Sequence, residues 1–292
     1  MNYEQFKSDL LKRLHIDFPI AESIQILSLT KNNGTTRDGL IILEEARNIA
    51  PTIYLDFFYS KFQQGLSFSN IYHELLEFYH QNKPRENISL SFFTNFNNIK
   101  NKIVFKLVNY EQNANLLSSI PHIPYLDLAI VFCCIIEMAP SFGIASILIH
   151  NSHLDYWNKK KEDLFSYAQQ NSPKLLEAQI RSLNDVLDIT DPDISLPELP
   201  FLILSNKHQL YGASCILYQD VLKEYAQKYN SDFYIIPSSI HEVILIPKSA
   251  SHIPNHFNHL IQDVNQSHVA EDEILSDHAY IYTQAENKIY AL

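Results

Sequence analysis

The segment Asp232–Pro247 constrains the fold more than any other part of the chain. Two apolar runs, Phe233–Ile236 and Val243–Ile246, flank the polar turn Pro237–Glu242, and both runs are rich in β-branched and aromatic residues. Short runs of this kind around a polar turn predict a β-hairpin. The turn carries the densest group of reactive side-chain types in the chain: Ser238, Ser239, His241 and Glu242.

The elements around this hairpin predict a βαββαβ order. A strand is expected at Ala213–Leu217, followed by an amphipathic helix at Gln219–Tyr229, whose apolar residues recur on one stripe. A helix near Asn255–Gln266 and a strand at Ala279–Thr283 complete the ferredoxin-like plan. The stretch from Ile103 to about Leu187 can be interpreted in the same way, which would make it a structural duplicate. We therefore expect an α+β fold of antiparallel sheets with helices on one face and a ferredoxin-like C-terminal part.

The N-terminal region has a different pattern of helices, a hairpin and more helices. The predicted elements are Tyr3–Leu14, the strands Ile24–Leu29 and Leu40–Leu43, and the helices Ile53–Gln64 and Phe68–His80. Two polar segments, Gln81–Asn101 and Thr190–Pro200, are candidate boundaries. They divide the chain into an N-terminal region at 1–100, a first α+β unit at 101–195 and a second, ferredoxin-like unit at 196–292.

Composition argues against several classes of protein. The formal net charge is -11 and no Lys/Arg cluster stands out, so binding to nucleic acid is disfavoured. The five glycines are not spaced for a phosphate loop, a dinucleotide fingerprint or a nucleophile elbow, so no cofactor is predicted. The three cysteines are expected to be buried thiols of a reducing compartment. The longest apolar run, Leu128–Ile136, is too short to cross a bilayer, so we predict a cytoplasmic protein without a membrane partner.

A ferredoxin-like sheet has the strand order 4-1-3-2, which places the starts of strands three and four at one edge, about 10 Å apart. The hairpin tip and Ser276-Asp277-His278 would then meet at this edge, together with Tyr218-Gln219. His241 with Asp277 or Glu242 could act as base and orienting group for a Ser238 or Ser239 nucleophile. His241, His278 and a carboxylate could instead hold a divalent metal.

The alternative that we favour is structural. In this alternative, the serine hydroxyls bond the backbone of the turn, Asp277 is a capping residue and the histidines are surface groups. A second histidine group at His252, His256 and His259, with Asp263, is interpreted as the solvated face of a helix.

Eight short phrases along the chain carry a resemblance to a known family: Thr30–Gly34, Asp38-Gly39, Ile49–Leu55, Val108–Tyr110, Leu126–Phe132, Gly212-Ala213, Pro237–Val243 and Ser276–His278. The chain resembles an uncharacterised bacterial family, a domain of unknown function, over nearly its whole length. No activity or catalytic residue accompanies this resemblance.

The expected function is that of a non-catalytic protein-interaction or ligand-binding module, whose partner is a protein or a small molecule. The alternative is a metal-dependent or hydrolase-type enzyme with its site at the Ser238–Glu242 and Asp277-His278 edge. A deep pocket there, with imidazole and carboxylate within about 3 Å of each other, would favour the enzyme. A flat edge with an exposed apolar patch would favour partner binding.

Overall fold

In a computed structural model, residues 1–83, 87, 93–139, 143–182, 201–250 and 257–292 are described. The chain divides into two compact units, residues 1–31 with 35–93 (unit 1) and residues 32–34 with 94–292 (unit 2). The division into three regions at 100 and 195 stays a prediction, and the segment Thr190–Pro200 lies outside the described residues. No described helix combines the length and the apolar character that crossing a bilayer requires.

Unit 1 is a small antiparallel sheet with helices, and its predicted elements are confirmed. The elements are α1 (Tyr3–Asp17), β1 (Ala21–Thr30), β2 (Thr36–Glu44), β3 (Thr52–Tyr54), α2 (Leu55–Gln63) and α3 (Phe68–Asn82). The strand order is β1-β2-β3. The predicted helix at Ile53 begins two residues later, because Thr52–Tyr54 pair with β2. Ser67 caps α3 as expected, since its hydroxyl accepts a hydrogen bond from Asn70 N at 3.2 Å.

The core of unit 1 follows from helical and strand periodicity. Apolar side chains four residues apart on α1 and α3, and alternate residues of β2, are fully buried. The residues with this pattern are Phe6, Leu10, Leu14, Leu40, Ile42, Ile71, Leu75 and Tyr79.

Unit 2 contains a four-stranded antiparallel sheet. Its strands are β4 (Ile103–Asn109), β5 (His122–Tyr125), β6 (Leu128–Ala139) and β7 (Gly143–Leu148). The long strand β6 pairs with each of the other three. The accompanying helices are α4 (Phe96–Ile99), α5 (Ala114–Leu117), α6 (Asn151–Trp157) and α7 (Lys161–Leu175). The helices α6 and α7 are separate, because Asn158 takes a left-handed conformation (φ 50°) and ends α6.

A second, six-stranded sheet of unit 2 contains the hairpin on which the sequence analysis began. Its order is β13-β12-β10-β11-β9-β8 and every pairing is antiparallel. The strands are β8 (Ala178–Ser182), β9 (Leu202–Asn206), β10 (Phe233–Ser239), β11 (Glu242–Pro247), β12 (Tyr280–Thr283) and β13 (Lys288–Ala291). Two helices belong to this part, α8 (Val221–Tyr229) and α9 (Phe257–His268).

The α+β class with antiparallel sheets is confirmed, whereas the ferredoxin-like detail is not. The strand predicted at Ala213–Leu217 is wrong, because Gly212–Leu217 forms a buried 3-10 helix. The strand before α8 is β9. If β9, β10, β11 and β12 are numbered 1 to 4 in chain order, their order in the sheet is 4-2-3-1, whereas a ferredoxin-like sheet has the order 4-1-3-2. The duplication is not confirmed either, since the four-stranded sheet has a different order.

Candidate functional site: a hairpin tip, a polar network and a tyrosine groove

The predicted site residues of the hairpin tip bond mainly to their own turn. Ser239 and Glu242 are paired across the turn, and the Ser239 hydroxyl accepts a hydrogen bond from His241 N at 3.0 Å. The Ser238 hydroxyl donates to Glu242 Oε1 at 3.4 Å. Hydroxyls that bond nearby backbone and side-chain groups are typical of serine in turns.

The His241 imidazole is held by the loop that precedes the 3-10 helix. Tyr211 N–H donates to His241 Nδ1 at 3.2 Å, which places the proton of the neutral ring on Nε2. The Tyr211 ring stacks on the imidazole, with ring centroids 6.0 Å apart and an interplanar angle of 12°. On the other nitrogen, Nε2 lies 4.0 Å from Glu273 Oε1. Among the described residues, neither serine hydroxyl bonds to the imidazole.

Gly212 allows the hairpin tip to lie directly on this loop. A Cβ atom on Gly212 would lie 2.2 Å from Ser205 Oγ, 2.4 Å from His241 O and 2.8 Å from Asn206 N. The Ser205 hydroxyl donates to His241 O at 2.8 Å, so a hydrogen bond joins β9 to the hairpin tip beside Gly212. Only glycine permits this approach of two backbones.

The second group of predicted residues belongs to a polar network around Asp127. Ser276 Oγ donates to Asp127 Oδ2 at 2.6 Å, and the hydroxyl of the fully buried Tyr280 donates to Asp127 Oδ1 at 2.7 Å. Burial, and then the Asp127 carboxylate, raise the pKa of Tyr280 well above its usual range. His278 Nδ1 lies 3.7 Å from Asp127 Oδ2, and Asp277 accepts from Asn265 Nδ2 at 2.8 Å.

A joint role of the two groups of predicted residues stays a prediction. Among the described residues, no hydrogen bond or ion pair links His241 or Glu242 to Asp277 or His278. Within the same part of the chain, no cluster of three or more His, Cys, Asp or Glu side chains has the arrangement of a metal site. His252 and His256 lie outside the described residues.

A network of asparagines ties the segment 271–276 to distant parts of unit 2. Asn33, in the left-handed conformation that asparagine tolerates (φ 59°), donates from Nδ2 to the carbonyls of Glu271 and Ile274, both at 2.8 Å. Asn113 and Asn33 exchange two hydrogen bonds, at 2.8 and 2.9 Å. Asn109 Nδ2 donates to Leu275 O at 3.2 Å. Several of the phrases that carry the family resemblance thus meet around 271–278.

A groove in unit 2, with a volume of about 440 Å³, lies outside the predicted site except at Tyr218-Gln219. Three tyrosines from separate elements line it: Tyr125 of β5, Tyr218 after the 3-10 helix and Tyr282 of β12. The polar lining is Gln219, Asp220, Lys223, Asn287 and Lys288. No local pattern could have revealed this groove, because its walls come from three distant parts of the chain, at 125, 216–223 and 282–289.

The three tyrosine hydroxyls differ in their hydrogen bonding. The Tyr218 hydroxyl donates to the carbonyls of Ser172 and Leu176, at 3.2 and 3.0 Å, and the Tyr282 hydroxyl donates to Asn287 Oδ1 at 2.7 Å. The Tyr125 hydroxyl bonds to no described residue, and burial raises the pKa of Tyr125 to about 12. It therefore stays protonated at neutral pH and can donate to a ligand.

Fold and site together define an α+β protein with antiparallel sheets and a tyrosine-lined groove. The model of a family of unknown function, DUF5688, matches residues 3–284, so the chain belongs to this family. This confirms the resemblance inferred from the short phrases. Neither the comparison with curated proteins nor the comparison with solved structures gives a match.

Proposed function

We propose that this chain is a non-catalytic module that binds a small molecule in the tyrosine groove. The observation that carries the proposal is the cavity itself. Its volume of about 440 Å³ lies in the range of small-molecule sites, and aromatic walls with a few polar groups are typical of such sites. The tyrosines come from different elements, so folding prepares the site before a ligand arrives.

The contacts of the predicted catalytic residues support a non-catalytic role. The two imidazole–carboxylate separations at the hairpin tip and at Asp127 are 4.0 and 3.7 Å, beyond hydrogen-bond distance. Their hydroxyl and carboxylate neighbours are engaged in holding turns and loops. An enzyme site needs a base within reach of the proton that it moves, and these groups already have structural partners.

The same proposal places the module in the bacterial cytoplasm. The three cysteines are free and buried, which suits a reducing compartment. The net charge of -11 supports a protein or small-molecule partner over a nucleic acid.

Binding of the uncharged dye N-phenyl-1-naphthylamine, followed by its fluorescence, tests the proposal. We expect one saturable site in the wild-type protein. Leu217→Trp should remove most of this binding, because Leu217 lines the groove and the larger indole ring would occupy space that the dye needs. Leu260→Trp is the matched control, since Leu260 lies on α9, is 57% exposed and does not line the groove.

Thermal melting of both variants checks that they fold. The proposal fails if the wild-type protein shows no saturable site, or if Leu217→Trp binds the dye as tightly as Leu260→Trp does.

A further inference from the structure

We propose that the ligand of this groove is an organic anion with an apolar ring, and that its charged group contacts Tyr125 and Lys288. This inference rests on the proposed function and names the ligand class of the same site.

The hydroxyl of Tyr125 differs from those of the other two tyrosines in the groove. The hydroxyls of Tyr218 and Tyr282 donate hydrogen bonds to protein oxygens. Tyr125 lines the groove, is half-buried and has no acceptor among the described residues. A protonated phenol without an acceptor favours a ligand atom that can only accept, such as a carboxylate, sulfonate or phosphate oxygen.

The charged side chains of the lining are one carboxylate and two ammonium groups. Lys223 lies 3.8 Å from Asp220, so these two charges largely compensate each other. Lys288 also lines the groove and forms no ion pair with any described residue. Lys288 therefore supplies a local Coulomb attraction for an anion, which acts against the net charge of -11 of the whole chain.

The charged group should lie away from Tyr282. The pKa of Tyr282 is raised by its burial and, further, by the carboxylates of Asp220 and Asp232, which shows a locally negative environment. The rings of Tyr218 and Tyr282 and the apolar side chain of Leu217, which also line the groove, instead suit the ring of the ligand.

A pair of dyes that share one ring system separates the ring from the charge. The probes are uncharged N-phenyl-1-naphthylamine and 8-anilinonaphthalene-1-sulfonate, which adds a sulfonate. Removing an exposed lysine should weaken the sulfonate dye about threefold. Removing a hydroxyl that bonds a charged group should weaken it about tenfold. We therefore expect these losses for Lys288→Gln and Tyr125→Phe respectively, and a smaller loss of affinity for the uncharged dye, which has no anionic group.

Lys161→Gln is the matched control for the lysine variant. Lys161 is exposed at the start of α7, eleven residues before Ser172, which bonds Tyr218. This distance is about 16 Å along the helix. Raising NaCl from about 50 to 500 mM should weaken the sulfonate dye in the wild-type protein and less in Lys288→Gln, since salt screens the charge.

The outcomes distinguish this inference from the proposed function. If the uncharged dye binds in the groove but both variants leave the sulfonate dye within about 1.5-fold of wild type, the anionic class is wrong and the groove stands as a site. If neither dye shows a saturable site that Leu217→Trp removes, the proposed function itself is wrong. Thermal melting without dye identifies a variant that fails to fold, and the remaining variant of the pair Lys288→Gln and Tyr125→Phe then tests the anionic ligand class.

Discussion

The Asp127 carboxylate is the centre of the polar network, and Asp127→Asn is the sharpest test of the network's contribution to stability. The substitution keeps the size of the side chain but removes its charge and replaces one acceptor oxygen with a donor NH₂. The two hydroxyl donors, from Ser276 and Tyr280, both lie in buried side chains. One of them must then bond a neutral oxygen and the other must reorient or lose its partner.

The magnitude follows from the two bonds. A hydrogen bond to a charged group contributes about 1.5–3 kcal/mol, and one between neutral groups about 1 kcal/mol. Converting one bond to a neutral bond and disrupting the other costs about 3 kcal/mol. The Asp127 side chain is 31% exposed, so water recovers part of this loss. We expect a destabilisation of about 2 kcal/mol.

Urea unfolding followed by circular dichroism measures this value, and the slope with urea should not change. Asp155→Asn is the control, because Asp155 is exposed on α6 and its substitution should stay within about 0.5 kcal/mol of wild type. A double-mutant cycle with Tyr280→Phe should give a coupling of about 1 kcal/mol. A loss below about 0.5 kcal/mol for Asp127→Asn would refute the reasoning.

Three further predictions concern other parts of the chain. Gly212→Ala should destabilise the protein by about 3 kcal/mol in the same urea assay, because its Cβ would overlap backbone atoms that cannot move aside; a loss below about 1 kcal/mol would contradict this. The pKa of Glu44 is lowered, chiefly by its hydrogen bond from Lys83. The ionised Glu44 carboxylate therefore stabilises the folded protein at pH values above the usual carboxyl pKa, and this stabilisation is lost as the pH falls through the pKa of Glu44 in the folded state. The melting difference between wild type and Glu44→Gln should therefore shrink from pH 7 to pH 3, and a constant difference would count against this. Burial raises the pKa values of the three thiols, Cys133, Cys134 and Cys215. The native protein at pH 8 should therefore resist a thiol reagent that reacts fully after denaturation. Fast labelling of the native protein would contradict this prediction.

Local elements of this fold could be predicted from the sequence where a local pattern decides them. The hairpin at Asp232–Pro247 follows from two apolar runs around a polar turn, and α3 follows from helical spacing with Ser67 as its cap. The prediction failed at Ala213–Leu217, where an apolar run suited a strand. There Gly212 lies against β9 and the hairpin tip, and its contact with His241, 29 positions further along the chain, cannot be inferred from the local pattern.

The candidate site likewise combines residues that were noticed in the sequence with contacts that could not be predicted from it. The phrases around Asn33, Asp127 and Ser276 were noticed as a resemblance, but their hydrogen bonds to one another depend on how unit 2 packs. Asp127 was not a predicted site residue, because nothing near it in the chain indicates that Ser276 and Tyr280 would reach it across about 150 positions.

Composition and local patterns were enough to predict the α+β class, the family, the acidic charge and the secondary structure of segments with clear periodicity, because each of these depends on residue content or on neighbours along the chain. The order of the strands, the different carboxylate neighbours of His241 and His278 and the tyrosine groove instead depend on the packing of distant segments. Strand order and grooves depend on which distant surfaces bury each other, and that choice is made by the whole core rather than by any one segment.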